Sequence, residues 1–252
     1  MTKLKMMNKY IPTLTLSLMA LITSVSVSPA HTLLTIKSNK STLSSQNREI
    51  SNFKGISSSG SFDVEITMGN KENLRIEGDK EDISEIETVV ENGILKIRNK
   101  NKNGWNWKSS REKVTVYINA KTINSLTLSG SGNMSVNGTI KSNRLTNAVS
   151  GSGNISLSVE VEDYDGSISG SGEMSIKGMA ERANIKISGS GNFKGKDLKT
   201  SDTDIKVSGS GNASVNAEKS LDAAVSGSGN IRYSGKARVS ISKSGSGNIS
   251  RI

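Results

Sequence analysis

Few residues of this chain have the types and the spacing that catalysis requires. Cysteine is absent, and His31 is the only histidine. A Ser-His-Asp arrangement needs a histidine that a rigid shell holds in place, whereas His31 is predicted to lie at the start of a polar tail. Thiol nucleophiles and zinc sites need cysteine or several histidines. The sequence therefore predicts no catalytic residue, no metal site and no cofactor, and favours a protein that is not an enzyme.

Pairs of carboxylates are the remaining candidates for catalysis, because two such groups can cleave a glycosidic bond. They lie in short polar stretches between repeated units, where solvated turns are the commoner explanation for clustered charge. A polysaccharide-active enzyme stays open as an alternative. Its candidate residues are Glu160, Glu162, Asp163 and Asp165, or Asp202 with Asp204.

The segment 99–113 is the strongest candidate for ligand binding. It contains Trp105 and Trp107, the only tryptophans of the chain, among several lysines and arginines. Aromatic faces with cationic neighbours suit sugar rings, anionic glycans and lipid headgroups. The competing interpretation is that the indoles cover an open end of the fold. The predicted binding residues are Trp105, Trp107, Lys102, Lys108 and Arg111.

The pentapeptide Ser-Gly-Ser-Gly-Asn recurs every 18 to 21 residues through the second half of the chain. Regular self-similarity of this length is typical of a stacked array, in which each unit buries its apolar face against its neighbours. The glycine-rich runs lack the Gly-Lys-Ser/Thr ending of a phosphate-binding loop, and they lack the regular aspartate of calcium-binding repeats. The copies start at Ser129, Ser150, Ser188, Ser208, Ser226 and Ser244, and a variant ending in glutamate starts at Ser169.

Short strands of alternating apolar and polar residues flank each pentapeptide, for example residues 155–157 and 185–187. Two strands of this length cannot close a core alone. Stacked in register about 4.8 Å apart, they would pair with the coils above and below. The last residue of each pentapeptide would then form a ladder of side-chain amides, interrupted at Glu173. The predicted ladder consists of Asn133, Asn154, Asn192, Asn212, Asn230 and Asn248.

The first thirty residues have the pattern of an export signal. Lys3, Lys5 and Lys9 precede the apolar stretch 11–27, and Ser-Pro-Ala at 28–30 offers a cleavage site. An uncleaved membrane anchor is the alternative. We expect export to the periplasm or to the outer surface, and no membrane span after cleavage.

The rest of the chain divides by pattern into three parts. Alternating strands, a possible helical turn at 80–86 and an Asn-Gly hairpin at 92–93 indicate an antiparallel, less repetitive block before the repeats. The predicted organisation is a signal peptide at 1–30, a polar spacer at 31–52, an N-terminal β segment at 53–120 and the solenoid repeats at 121–252.

The chain carries a formal net charge of +10. Residues 1–30 contribute three lysines and no carboxylate, so +7 remains after cleavage. For an exported protein this excess favours anionic glycan, lipopolysaccharide or another envelope protein as partner, and not nucleic acid. The sequence does not determine the oligomeric state.

The reiterated pentapeptide, together with Phe53-Lys54-Gly55-Ile56 and the strands that follow it, resembles the auto-transporter adhesin head GIN domain family of Bacteroidetes. The resemblance covers residues 50–252. It implies an all-β, right-handed parallel β-helix or solenoid, export to the cell envelope and an adhesin-like role, without catalytic residues. The last pentapeptide lies four residues before Ile252, so we expect no anchoring domain behind it and no complete autotransporter.

The sequence thus predicts an exported, non-enzymatic, adhesin-like envelope protein that presents a rigid β-solenoid to glycans or to other surface partners. Two alternatives stay open. The first is the polysaccharide-active enzyme, and the second is a structural assembly component whose final coil, residues 244–252, pairs with another chain edge to edge.

Overall fold

The computed structural model describes residues 43–100 and 113–252, which contain sixteen β-strands and one short helix. The segments 1–42 and 101–112, which include the predicted signal peptide, lie outside the described residues. The elements are β1 (Leu43–Arg48), β2 (Gly55–Gly60), β3 (Asp63–Met68), β4 (Asn73–Asp79), α1 (Lys80–Glu85), β5 (Ile86–Glu91), β6 (Ile94–Asn99), β7 (Thr115–Ala120), β8 (Ser125–Gly130), β9 (Asn133–Gly151), β10 (Asn154–Gly170), β11 (Glu173–Gly189), β12 (Asn192–Gly209), β13 (Asn212–Gly227), β14 (Asn230–Ser234), β15 (Arg238–Ser244) and β16 (Asn248–Arg251).

The repeats form a right-handed parallel β-solenoid of about seven turns. Each of the long strands β9 to β13 follows most of one coil and pairs in parallel with the next coil. The register aligns the pentapeptides, so that Ser150, Ser169, Ser188 and Ser208 stand at equivalent positions. This architecture confirms the fold class that the sequence predicts.

Stacked aliphatic columns fill the interior of the rod. Ile168, Ile187, Val207 and Val225 occupy one such column in successive coils, and all four are buried. Their alternation with polar residues sends every second side chain inward. Lys243 is next in register after Val225 and is exposed, so a charge stands where the earlier coils have an aliphatic side chain.

The glycines of the pentapeptide make the sharp corner between the two flanking strands. Gly170 has a φ of +118°, and a Cβ there would stand 2.5 Å from the carbonyl oxygen of Gly151 in the preceding coil. That oxygen accepts hydrogen bonds from the backbone N–H groups of both Ser171 and Gly172. The corner therefore needs glycine both for its dihedral angle and for this close approach.

Two aromatic side chains complete the core of the middle coils. Tyr164 and Phe193 are fully buried, with ring centroids 6.2 Å apart. Each ring lies over a glycine two residues further along: a Cβ at Gly166 would stand 3.0 Å from the Tyr164 ring, and one at Gly195 would stand 2.3 Å from the Phe193 ring. The missing side chains thus make room for the rings.

The N-terminal segment is less regular, as the sequence indicates, but its pairing differs from the antiparallel prediction. β2 pairs in parallel with β6 and β8, and β3 pairs in parallel with β7 and β9. The connection between β2 and β3 contains Ser59-Gly60-Ser61-Phe62-Asp63, a degenerate pentapeptide in register with the later copies. β2 and β3 therefore form a coil that continues the repeat array.

Among the described strands, antiparallel pairing occurs in three contacts, all within the N-terminal segment. β1 pairs with β4, β4 with β7, and β5 with β6. The β5–β6 hairpin turns at Asn92 and Gly93, both with positive φ, which confirms the predicted Asn-Gly turn. Helix α1 confirms the predicted helical turn, with Asp79 as its N-cap. β1 lies within the predicted polar spacer, and its Arg48 donates hydrogen bonds to the carbonyl oxygens of Ile83 and Ile86.

In the described part of the chain, no helix has the length and apolar composition needed to cross a bilayer.

Candidate functional site

The pentapeptides form a continuous polar ridge along one corner of the solenoid. We define the polar ridge as the two serines and the final residue of each pentapeptide from Ser129 to Asn248. The serine hydroxyls form no hydrogen bond within the described ranges, and nearly all of these serines are exposed. The ridge thus presents rows of hydroxyl groups, each able to donate and to accept a hydrogen bond.

Side-chain amides run beside these hydroxyls. The Nδ2 of Asn154 donates to Oδ1 of Asn133 at 2.8 Å, and the Nδ2 of Asn230 donates to Oδ1 of Asn212 at 2.9 Å. Asn212 donates in turn to Asn192 at 3.3 Å. Asn248 stands in register with Asn230. All six asparagines therefore occupy one column, and four of the coil-to-coil steps are in register with asparagine on both sides.

Glu173 occupies the same column between Asn154 and Asn192, and its carboxylate binds Lys194 at 2.8 Å. At the other end, Asp63 accepts hydrogen bonds from the backbone N–H and the side chain of Asn133. The repeat pattern does not mark Asp63, because Phe62 replaces the second glycine of its pentapeptide. The shared Ser-Gly-Ser core was the signal that would have found it.

Some of the candidate carboxylates meet on a second surface. Asp163, Asp165, Asp202 and Asp204 border one shallow depression of about 390 Å³. Glu160 is not among the residues that line it, and binds Lys141 at 2.6 Å instead.

The ionic contacts of this surface keep two carboxylates charged. Hydrogen bonds from Arg182 and from Arg144 lower the pKa of Asp163. A hydrogen bond from the Ser220 hydroxyl, with an O–O distance of 2.6 Å, lowers the pKa of Asp202. A general acid of a glycosidase needs a raised carboxyl pKa. The pKa values of Asp163 and Asp202 are shifted in the opposite direction.

A wide concave surface lies in the N-terminal segment. We define the N-terminal groove as the depression of about 1270 Å³ lined by residues 47–51, 72–75 and 88–90 with Thr67, Tyr117 and Asn119. Thr67, Asn119 and Asn73 form one row across β3, β7 and β4, and Tyr117 and Arg75 form the next row. No local sequence pattern predicts this groove, because its residues come together only through the pairing of strands that are distant in sequence.

The predicted binding residues Trp105, Trp107, Lys102, Lys108 and Arg111 lie outside the described residues. Their segment connects β6 to β7, and β7 carries Tyr117 and Asn119 of the N-terminal groove.

Comparison with known proteins identifies relatives. Residues 52–237 match the family model described as "Putative auto-transporter adhesin, head GIN domain". A crystal structure from Bacteroides fragilis, described as a "putative adhesin", superposes with a TM-score of 0.74 at 23% identity, covering 83% of this chain and 97% of that one.

Two Parabacteroides structures are also similar. One from Parabacteroides distasonis, described as a "putative lipid binding protein", has a TM-score of 0.69 at 30% identity. The alignment covers 83% of this chain and 96% of the Parabacteroides distasonis chain. A "putative adhesin" from Parabacteroides merdae has a TM-score of 0.67 at 22% identity, with coverage of 83% and 96%. No curated protein matches the chain.

Proposed function

The chain belongs to the auto-transporter adhesin head GIN domain family, and from that premise we propose that it is an exported, non-enzymatic envelope protein that uses a rigid β-solenoid to bind glycans or other surface partners. Family membership supports the adhesin-like role. Export rests on the sequence pattern of residues 1–30.

The observation that carries this proposal is the registered polar ridge. Its serine hydroxyls have no partner within the described ranges, while five of the six asparagines beside them are held by hydrogen bonds to one another. Fixed polar groups lose little conformational entropy when a ligand binds them. A straight row of hydroxyls and amides suits an extended, hydroxyl-rich polymer that lies along the rod.

A binding role fits the electrostatics better than catalysis does. Asp163 and Asp202 have lowered pKa values, which favours the ionised state and opposes proton donation. An assembly role through the last coil is also less favoured, because Lys243 stands in register with the buried Val225. Lys243 is exposed, and a charged side chain at such a position of an edge strand discourages the addition of another strand.

The segment with Trp105 and Trp107 is the proposed contact for anionic partners, such as acidic glycan or lipopolysaccharide. The support is its composition, two indoles among lysines and arginines, together with the positive net charge of the chain.

Lipid binding is a second candidate function. It is favoured by the 30% identical Parabacteroides distasonis structure described as a "putative lipid binding protein". The same cationic segment would supply the contact with anionic headgroups.

A binding survey of the purified protein tests both functions. Immobilised acidic and neutral polysaccharides, lipopolysaccharide, and vesicles with and without anionic lipid are the probes. We expect binding to a glycan or lipopolysaccharide that the double variant Trp105→Ala/Trp107→Ala weakens. The matched control is Tyr233→Ala, which removes a half-buried aromatic ring near the other end of the chain.

Each other outcome decides against the proposal. Binding to anionic vesicles alone would favour the lipid function. New reducing ends released from a polysaccharide would favour the enzyme alternative. No affinity for any probe would reject the adhesin-like function.

A further inference from the structure

Among the described residues that line the N-terminal groove, both cationic side chains already have partners within the fold. Arg48 donates hydrogen bonds to the carbonyl oxygens of Ile83 and Ile86 and to the side chains of Thr88 and Gln46, and burial lowers its pKa. The second arginine of the lining, Arg75, forms an ion pair with Glu77. Both guanidinium groups are therefore already engaged within the fold.

The carboxylates of the lining add to this balance. Glu72 accepts a hydrogen bond from the backbone N–H of Asn52 at 2.9 Å, and Glu49 is exposed. The described lining therefore contains two arginines and two glutamates, so that its formal charges balance, although the whole chain carries a net charge of +10. A phosphate or carboxylate ligand would need to lose its hydration here without a free cation in return.

The floor of the groove offers uncharged hydrogen-bonding groups instead. The Nδ2 of Asn119 donates to Oδ1 of Asn73 at 2.7 Å, so the two amides lie edge to edge. Oδ1 of Asn119 and both N–H groups of Asn73 remain available, with the exposed Thr67 hydroxyl next in the row. Adjacent donors and acceptors of this kind match the neighbouring hydroxyl groups of a sugar ring.

Apolar surface lies beside these groups. The guanidinium carbon of Arg75 lies over the Tyr117 ring, 4.5 Å from the ring centroid. The Tyr117 hydroxyl has no hydrogen-bond partner in the described part of the chain. Val89 and Val90 are half-buried in the same lining. A concave surface that combines apolar walls with a few convergent polar groups is the usual form of a ligand site.

We propose that the N-terminal groove binds an uncharged saccharide, with the Asn73–Asn119 amide pair on its hydroxyl groups and Tyr117 with Val89 and Val90 against its C–H faces. The volume of about 1270 Å³ is larger than a typical small-ligand pocket and accommodates several sugar units. This inference rests on the proposed adhesin-like function and deepens it, since it adds a neutral-glycan site to the cationic segment proposed for anionic partners.

The test is isothermal titration calorimetry with maltohexaose, cellohexaose and mannohexaose as neutral probes and hexagalacturonate as the anionic probe. Asn119→Asp and Asn73→Asp keep the side-chain shape but remove amide donors and add charge. The matched control is Asn143→Asp, the same change at an exposed site of β9 that lies outside the groove and outside the polar ridge. Thermal melting checks that each variant folds.

We expect at least one neutral hexasaccharide to bind, and each groove variant to weaken that binding by about tenfold or more, as loss of one good hydrogen bond does. Asn143→Asp should leave the binding unchanged. Absence of neutral-saccharide binding, or binding that the groove variants do not alter, would overturn the inference. Hexagalacturonate binding in either case would leave the proposed function standing.

Discussion

The side-chain amide of Asn154 donates a 2.8 Å hydrogen bond to the side-chain oxygen of Asn133, which lies 21 residues earlier in the chain. The spacing of the partners equals the length of one coil. The stacking of each pentapeptide on the previous one therefore determines the repeat period, the strand register and the side-chain ladder together.

The ladder should contribute measurably to stability. Asn212 takes part in two of its hydrogen bonds, one with Asn192 and one with Asn230. We expect Asn212→Ala to lower the free energy of unfolding by about 1 kcal/mol, because exposed hydrogen bonds contribute modestly. Urea unfolding measures the change. The control is Ser214→Ala, on the same strand, because the Ser214 hydroxyl forms no hydrogen bond within the described residues. An equal loss of stability in this control would contradict the role of the ladder.

The corner glycines should tolerate no side chain. Gly170→Ala places a Cβ 2.5 Å from the Gly151 oxygen at a φ of +118°, and the backbone conformation alone costs about 1–3 kcal/mol. We expect a large loss of thermal stability or failure to fold, measured by circular dichroism. Gly69→Ala is the control, since nothing lies within 4 Å of a Cβ there. A harmless Gly170→Ala would contradict the corner geometry.

The buried Tyr164 should stabilise the fold through the volume of its ring and not through the hydrogen bonds of its hydroxyl. Its hydrogen bonds are long, 3.4 Å from Asn147 and 3.8 Å to the Met174 sulfur. Tyr164→Ala opens a cavity and should cost about 3–5 kcal/mol, while Tyr164→Phe should cost no more than about 1 kcal/mol. Chemical denaturation of both variants gives the two values. Equal losses would show that the hydroxyl carries the effect.

The ionic surface predicts a specific dependence on pH. Hydrogen bonds from Arg182 and Arg144 hold the pKa of Asp163 below its ordinary value of 3.8. Its contribution to stability is therefore complete above that value and is lost as the pH falls through the lower pKa of the folded protein.

Asp163→Asn removes this dependence. We expect the wild type to be more stable than the variant at pH 7, and the difference to shrink as the pH falls below 3.8. Thermal melts at pH 7, 4 and 3 measure it. Asp222→Asn, on the same surface, is the comparison. A difference that grows in acid would contradict the assigned direction of the pKa shift.

The sequence predicts the repeating part of this fold well, because each Ser-Gly-Ser-Gly-Asn copy carries the corner, the strand alternation and the register together. It predicts the first coil poorly, since Phe62 and Asp63 replace a glycine and an asparagine of the pattern. The N-terminal groove was not foreseeable. Asn73 and Asn119 meet only because β4 and β7 pair across 46 positions, and no local pattern marks such a contact.

The stacking of the coils can be measured directly because the chain has no cysteine. Ser129, Ser208 and Ser244 stand in one column, four and six coils apart in register. The double variants Ser129→Cys/Ser208→Cys and Ser129→Cys/Ser244→Cys each accept two spin labels. Double electron–electron resonance then measures the distance between the two labels. We predict about 19 Å from 129 to 208 and about 29 Å from 129 to 244, at about 4.8 Å for each coil. Distances that do not grow with the number of coils would contradict the solenoid and the binding surfaces that depend on it.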